Sequence, residues 1–410
     1  MSEPATRAAL EGVVRESYGR LIAYLAARSG DVAGAEDALG DALVAALRRW
    51  PTDGVPAKPE AWLLHAARNR TIDAARRSRI RREREPLLRL AAEAAQLAAE
   101  TQEHFPDERL KLLFVCAHPA VDSAARTPLM LQAVLGVDAA RIASAFLVSP
   151  ASMGQRLVRA KNKIRAAAIP FRVPDPPEWE ERVAFVLEAI YAGYTTGWDS
   201  LNEAGTTRQA LAGEALALGR ALVELMPAEP EAHGLLALML HCEARRAARF
   251  DAGGAFVPLD RQDPTRWSRP MIAEAENHLR IAAAAGRLGR YQLEAAIQSL
   301  HAIRAVTGVT DWPGIVLLYE GLVLVAPGVG SRVGRAVALA QAGRLDVGWS
   351  ALEEISADLV AGYPPFWAAR GHLLQLLGRA GEARAAFVRA AGLTDDPALR
   401  DHLAGRAAGA

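Results

Sequence analysis

The chain has only two cysteines in 410 residues, Cys116 and Cys242. They are far apart and neither sits in a CxxC pair, so no disulfide framework and no zinc site is indicated, and a reducing cytoplasm fits. Aromatic residues are scarce, at 6%, and strand-like runs are nearly missing. No apolar stretch is long enough to span a bilayer, and the N-terminus lacks a basic-then-apolar leader pattern, so no membrane partner is expected. His118, His233, His241, His278 and His301 show neither HxxxH nor HExxH spacing, which argues against a metal. There is no Walker, GxSxG or GxGxxG element at a strand-to-helix junction. Cofactors are therefore not expected, and an enzyme has no supporting constellation.

What is abundant is Ala, Leu, Arg and Glu, the usage of an all-α protein. The length implies two or three domains. The net charge of +1 hides an asymmetry. Residues 1–170 hold 25 Lys+Arg against 19 Asp+Glu, while 171–410 hold 23 against 28. A basic N-terminal part joined to an acidic C-terminal part fits a nucleic-acid binder with an appended interaction module. Chance scatter of charge is the plainer alternative.

The spacing predicts helices over 6–30 and 33–50. Leu39, Leu43 and Leu47 share one stripe of the second, and Glu36, Asp37 and Asp41 lie in its first turns, where acid suits the helix dipole. After a Pro/Gly-rich loop at 51–60 comes AWLLHAARNRTIDAARR, with Trp62 and Leu63 inside and arginines outside. Trp62 has two readings, core packing or stacking on an unpaired base. A charged connector at 81–105 leads to two helices over 107–119 and 123–136. The segment GVDAARIASAFLVSPASMGQRLVRAKNKIR (136–165) then reads as helix, tight turn and second helix. Asp138 and Ser149 are N-cap candidates, and Pro150 suits a first helical position. Met153, Leu157, Ala160 and Ile164 fall on one inward stripe, leaving Ser152, Gln155, Arg156, Arg159 and Lys163 to face outward or to the flanks. An ordinary amphipathic hairpin would share the apolar stripe, but the turn chemistry and the basic second helix favour DNA.

Pro170, Pro174, Pro176 and Pro177 place a linker over 169–180. Helix pairs follow. In FWAARGHLLQLLGRAGEARAAFVRAAGL (366–393), Ala383 and Phe387 after a Gly-containing turn match the second helix of tetratricopeptide repeats, and 333–355 repeats the layout. The irregular stretch FVPLDRQDPTRW carries Asp260, Asp263 and Trp267. Tyr291, Gln292, Gln298 and His301 lie at helical spacing beside it. Together they form either a groove for a partner or another part of the chain, or a satisfied structural loop beside polar core packing.

With both helical blocks in view, the first 170 residues resemble extracytoplasmic-function sigma factors of bacterial RNA polymerase. AEDALGDALVAALRRW looks like the helix that docks on core polymerase, which implies Glu36, Asp37, Asp41, Leu43 and Trp50 as contacts, with Gly40 standing where the family usually has Gln. AWLLHAARNRTIDAARR looks like the helix that opens and reads the minus-ten element, implying DNA-binding roles for Trp62, Arg68, Asn69, Arg70, Asp73, Arg76 and Arg77. The 136–165 hairpin resembles the reader of the minus-thirty-five element. DERLKLLFVCAHPA, EARRAAR, FVPLDRQD, YQLEAAIQSLHA and TDWPGIVLLYEGL extend the likeness to a subgroup with a long tetratricopeptide-like extension. The resemblance implies region 2 over 1–80, region 4 over 106–168 and a regulatory or interaction extension over 181–410. It further implies core polymerase and promoter DNA as partners, a regulatory protein or peptide at the extension, and a cytoplasmic protein. A repeat-type scaffold with a degenerate sigma-like part is the alternative.

Overall fold

In a computed structural model, the structure describes residues 3–68, 107–146, 148–198 and 205–410. Their regular structure is helical, apart from one isolated antiparallel bridge between Phe250 and Phe256. The all-α expectation holds. None of the described helices is long and apolar enough to cross a membrane. The chain divides into two compact units, Met1–Gly197 with Thr207–Leu218, and Trp198–Thr206 with Gly219–Ala410.

The first unit opens with α1 (Glu3–Ser29) and α2 (Val32–Asp53). Gly30 takes the left-handed φ of 66° that reverses the chain between them. Asp31 then caps α2, its carboxylate accepting from the Gly34 N–H at 3.1 Å. A third helix, α3, runs over 59–68. Next come α4 (Arg109–Cys116), α5 (Ser123–Ala133), α6 (Ala139–Ala145) and α7 (Pro150–Ala166). Leu21, Ile22, Leu39, Leu63, Leu112, Phe114 and Met130 are fully buried within this unit.

The proline-rich 169–180 stretch follows the end of α7 at Ala166 but does not end this unit. After a single turn at Pro176–Glu178, α8 (Glu180–Trp198) returns to bury Val186, Ile190 and Tyr194. Thr127 on α5 donates to Glu188 at 3.0 Å, and Arg126 lies 4.6 Å from the Phe185 ring centroid. Residues Thr207–Leu218 of α9 (Gly205–Leu225) also belong here, with Arg109 paired to Glu214. The boundary expected at 169–180 thus falls later, after Gly197. Prolines stop a helix; they do not stop an apolar face from finding its core.

The second unit contains α10 (Pro230–Ala244), α11 (Arg269–Ala284), α12 (Arg290–Ala302) and α13 (Trp312–Val325). It continues with α14 (Val329–Gln341), α15 (Leu345–Glu353), α16 (Pro364–Leu376), α17 (Ala380–Gly392) and α18 (Pro397–Ala408). A long irregular segment joins α10 to α11, whereas most of the later connections are short, with Gly343 (φ 81°) and Gly378 (φ 72°) at tight turns. Ala383 and Phe387 are buried where a small and an aromatic residue were expected. Gly371 is needed opposite them, since a Cβ there would stand 2.8 Å from the Phe387 ring.

Candidate nucleic-acid interface

Ser149 caps α7, accepting from the Ser152 N–H at 3.2 Å, and Asp138 caps α6 through the Arg141 N–H at 2.9 Å. The expected stripe is buried: Met153, Leu157, Ala160 and Ile164 are each at most 5% exposed. That rotation leaves Ser152, Gln155, Arg159 and Lys163 exposed. Arg156 differs. It is half-buried, and its Nη1 donates to the Ala124 carbonyl at 3.2 Å, so part of its guanidinium holds α7 to the start of α5. Five cations and no acid lie on α7.

Two of those cations turn toward α2. Lys161 is buried and pairs with Glu36, and Arg165 reaches Asp31 at 3.4 Å. Glu36, expected to face core polymerase, is therefore half-buried against α7 instead. The approach is close elsewhere too, because a Cβ on Gly19 of α1 would overlap the Val134 carbonyl. Burial, with Glu36 beside it, pushes the Tyr18 phenol up, and burial pushes the Cys116 thiol up, leaving it un-ionised.

Asp37 and Asp41 are exposed on the outer side of α2, followed along the same face by Val44 and Leu47, while Leu43 is half-buried. Trp50 is a correction to the sequence expectation. At 1% exposure it cannot meet a partner, and its ring packs edge-on against Trp62 with centroids 5.5 Å apart. Trp62 is half-buried, and Arg68 is half-buried at the last described position of α3. Asn69, Arg70, Asp73, Arg76 and Arg77 lie outside the described residues.

The residues singled out in the extension separate. Trp267 is buried, with the Arg304 guanidinium 5.2 Å from its ring centroid. Asp263 is a loop staple: its carboxylate accepts from the Thr265 N–H and hydroxyl, which hold its titration below the usual range. Gln298 accepts from Arg245 at 2.7 Å, and Tyr291 is buried with its N–H donated to Glu231. Asp263, Gln298 and Tyr291 are engaged in structural contacts, while the Trp267 indole N–H is buried with no hydrogen-bond partner among the described residues. Asp260 and His301, by contrast, line one cavity with Arg304, Trp312, His372 and Arg406. Sequence spacing could not find that set, because its members come from different helices and span more than a hundred positions.

Comparison with known proteins fits this layout. Residues 13–81 match the Sigma-70 region 2 family, and residues 182–283 match a family of unknown function, DUF6596. No solved structure matches the chain. An uncharacterized protein of Rhizobium meliloti (strain 1021) is 40% identical over 383 residues, covering 92% of this chain and 89% of its own length. The Sigma-70 match, covering α1 to α3, supports a sigma-factor-like role in transcription initiation. The chain belongs to one family with the Rhizobium protein, and in this chain the Sigma-70 region 2 match is followed by the DUF6596 match.

Proposed function

We propose that this chain is a cytoplasmic, non-enzymatic sigma factor of the extracytoplasmic-function type that directs core RNA polymerase to specific promoters. The observation that carries the reading is the Sigma-70 region 2 match on α1 to α3, joined in one compact unit to a capped basic helix hairpin, α6–α7. In this reading the outer face of α2, with Asp37, Asp41, Val44 and Leu47, meets polymerase. α3 and the arginine-rich sequence that follows it act on the minus-ten element. Ser152, Gln155, Arg159 and Lys163 read the minus-thirty-five element, where phosphate contacts fix register and base-edge contacts give sequence preference. The tetratricopeptide-like extension modulates this activity, and α8 and the start of α9 supply the physical route, since they pack on α4 and α5.

The test is run-off transcription with purified core polymerase. Full-length chain is expected to give discrete transcripts that Arg159→Ala weakens. Undiminished transcription by a chain lacking 138–165 would sink the reading. A second reading, a scaffold whose sigma-like part no longer binds polymerase, draws on Gly40 and on the engagement of Glu36 by Lys161. Failure to co-purify with core polymerase would select it.

A further inference from the structure

The second unit holds a cavity of about 260 Å³ to which the transcription reading gives no role. It is smaller than the roughly 300–1,000 Å³ of drug-sized sites, so its natural occupant is a compact molecule. Separate helices each contribute to its wall: His301 from α12, Trp312 from α13, Gln341 from α14, His372 from α16 and Arg406 from α18. Arg304, Thr310 and Val337 complete the wall together with Leu259 and Asp260 of a loop, and that loop is fixed in advance. Arg304 donates to the carbonyls of Asp260, Leu259 and Gln262 at 2.6, 2.8 and 3.0 Å.

The donors are not used up. A guanidinium has five N–H groups, yet Arg406 engages only Nη2, at 2.7 Å from Gln375 Oε1 and 3.4 Å from His372 Nδ1. Its Nη1 and Nε meet no partner among the described residues, while the Phe387 ring, 4.6 Å away, packs against the guanidinium. The rings of His301 and Trp312 stack edge-on at 5.5 Å and make no hydrogen bond to a described residue. Charge points the same way. Arg304 and Arg406 face one carboxylate, Asp260, and Arg261 adds positive potential at Arg406. Burial and the neighbouring Arg245 and Arg304 push His301 down to about 4, so the cavity is electropositive even with its imidazoles neutral.

We propose that this cavity binds a small anion bearing carboxylate or phosphate groups, anchored on the open edge of Arg406 with His301 and Trp312 as further donors. Guanidinium suits such groups because its planar donors match paired oxygens. The extension is then a ligand-binding module as well as a helical scaffold. This goes beyond the transcription reading, and a binding readout keeps the two separable.

The experiment uses full-length protein with citrate and inorganic phosphate as probes and sodium chloride at matched ionic strength as control. Calorimetric titration and thermal melts are expected to show saturable binding of at least one probe. Citrate alone binding identifies a polycarboxylate site, and phosphate alone a phosphoryl site. Arg406→Gln should weaken the bound probe at least tenfold, and His301→Gln several-fold. If Arg406→Gln fails to fold, His301→Gln carries the test, because His301 has no side-chain hydrogen bond to a described residue to lose. The proposal is overturned if neither probe binds beyond the chloride control, or if the folded variants bind as the parent does.

Discussion

A carboxylate largely withdrawn from water is costly unless it is paired, and Glu36 is paired by Lys161, itself 8% exposed. Under the proposed function this contact competes with polymerase for the acidic turns of α2. Lys161→Ala removes the competitor and leaves Glu36 seeking solvent. The expected result is a lower melting temperature together with tighter capture by core polymerase, read in one pull-down series. A loss of stability with unchanged capture would show that the pair is only structural. The histidines make a second residue-scale prediction. His118, His278, His301, His372 and His402 are all pushed below their ordinary value, with burial as the main cause. Folding therefore favours the neutral ring. The stability this represents is full above about pH 6.5 and is lost as pH falls, for His301 through about 4. Melts at pH 7.5, 5.5 and 4.5 should descend, and His301→Gln should flatten part of the descent.

At the scale of elements, α7 shows what a sequence can and cannot disclose. Its caps and inward stripe follow from local chemistry, N-cap oxygens and a four-three-four spacing, and both appear as expected. Arg156 and Arg159 looked equivalent because spacing places both near the outer face. Only packing separates them, since Arg156 lies against the Ala124 carbonyl and Arg159 does not. Arg159→Ala is accordingly expected to weaken promoter binding by about 1–3 kcal/mol at an unchanged melting temperature. Arg156→Ala should lower the melting temperature and affect promoter binding less. Equal effects of both on binding, with neither on stability, would contradict the assignment. Lys161 was invisible for a related reason: its partner lies 125 positions away. Trp50 was misread because a motif position says that a residue matters, while only burial says whether it is a contact or a support.

For the whole molecule, the relevant question is where the sigma-like part ends. Composition puts the break at the prolines of 169–180, and a fragment ending near residue 170 is the natural choice from sequence. Packing argues otherwise. Leu135 fills the space above Gly193, Glu188 accepts from Thr127, and Glu214 neutralises the buried Arg109. A chain stopped at 170 leaves Arg109 with Asp107 as its remaining ion-pair partner among the described residues, and exposes the apolar side of α5. A chain stopped at 218 retains all three contacts. The 1–218 fragment is therefore expected to melt cooperatively, and the 1–170 fragment to melt at a lower temperature or to aggregate. Each kcal/mol lost corresponds to about 2–4 °C in a unit of this size. If both fragments fold equally well, α8 and the start of α9 are passengers, and any influence of the extension on transcription must reach the sigma-like helices by another path. If only the longer one folds, those residues are part of the sigma-like unit itself, and truncation at 170 would report damage to that unit rather than release from regulation.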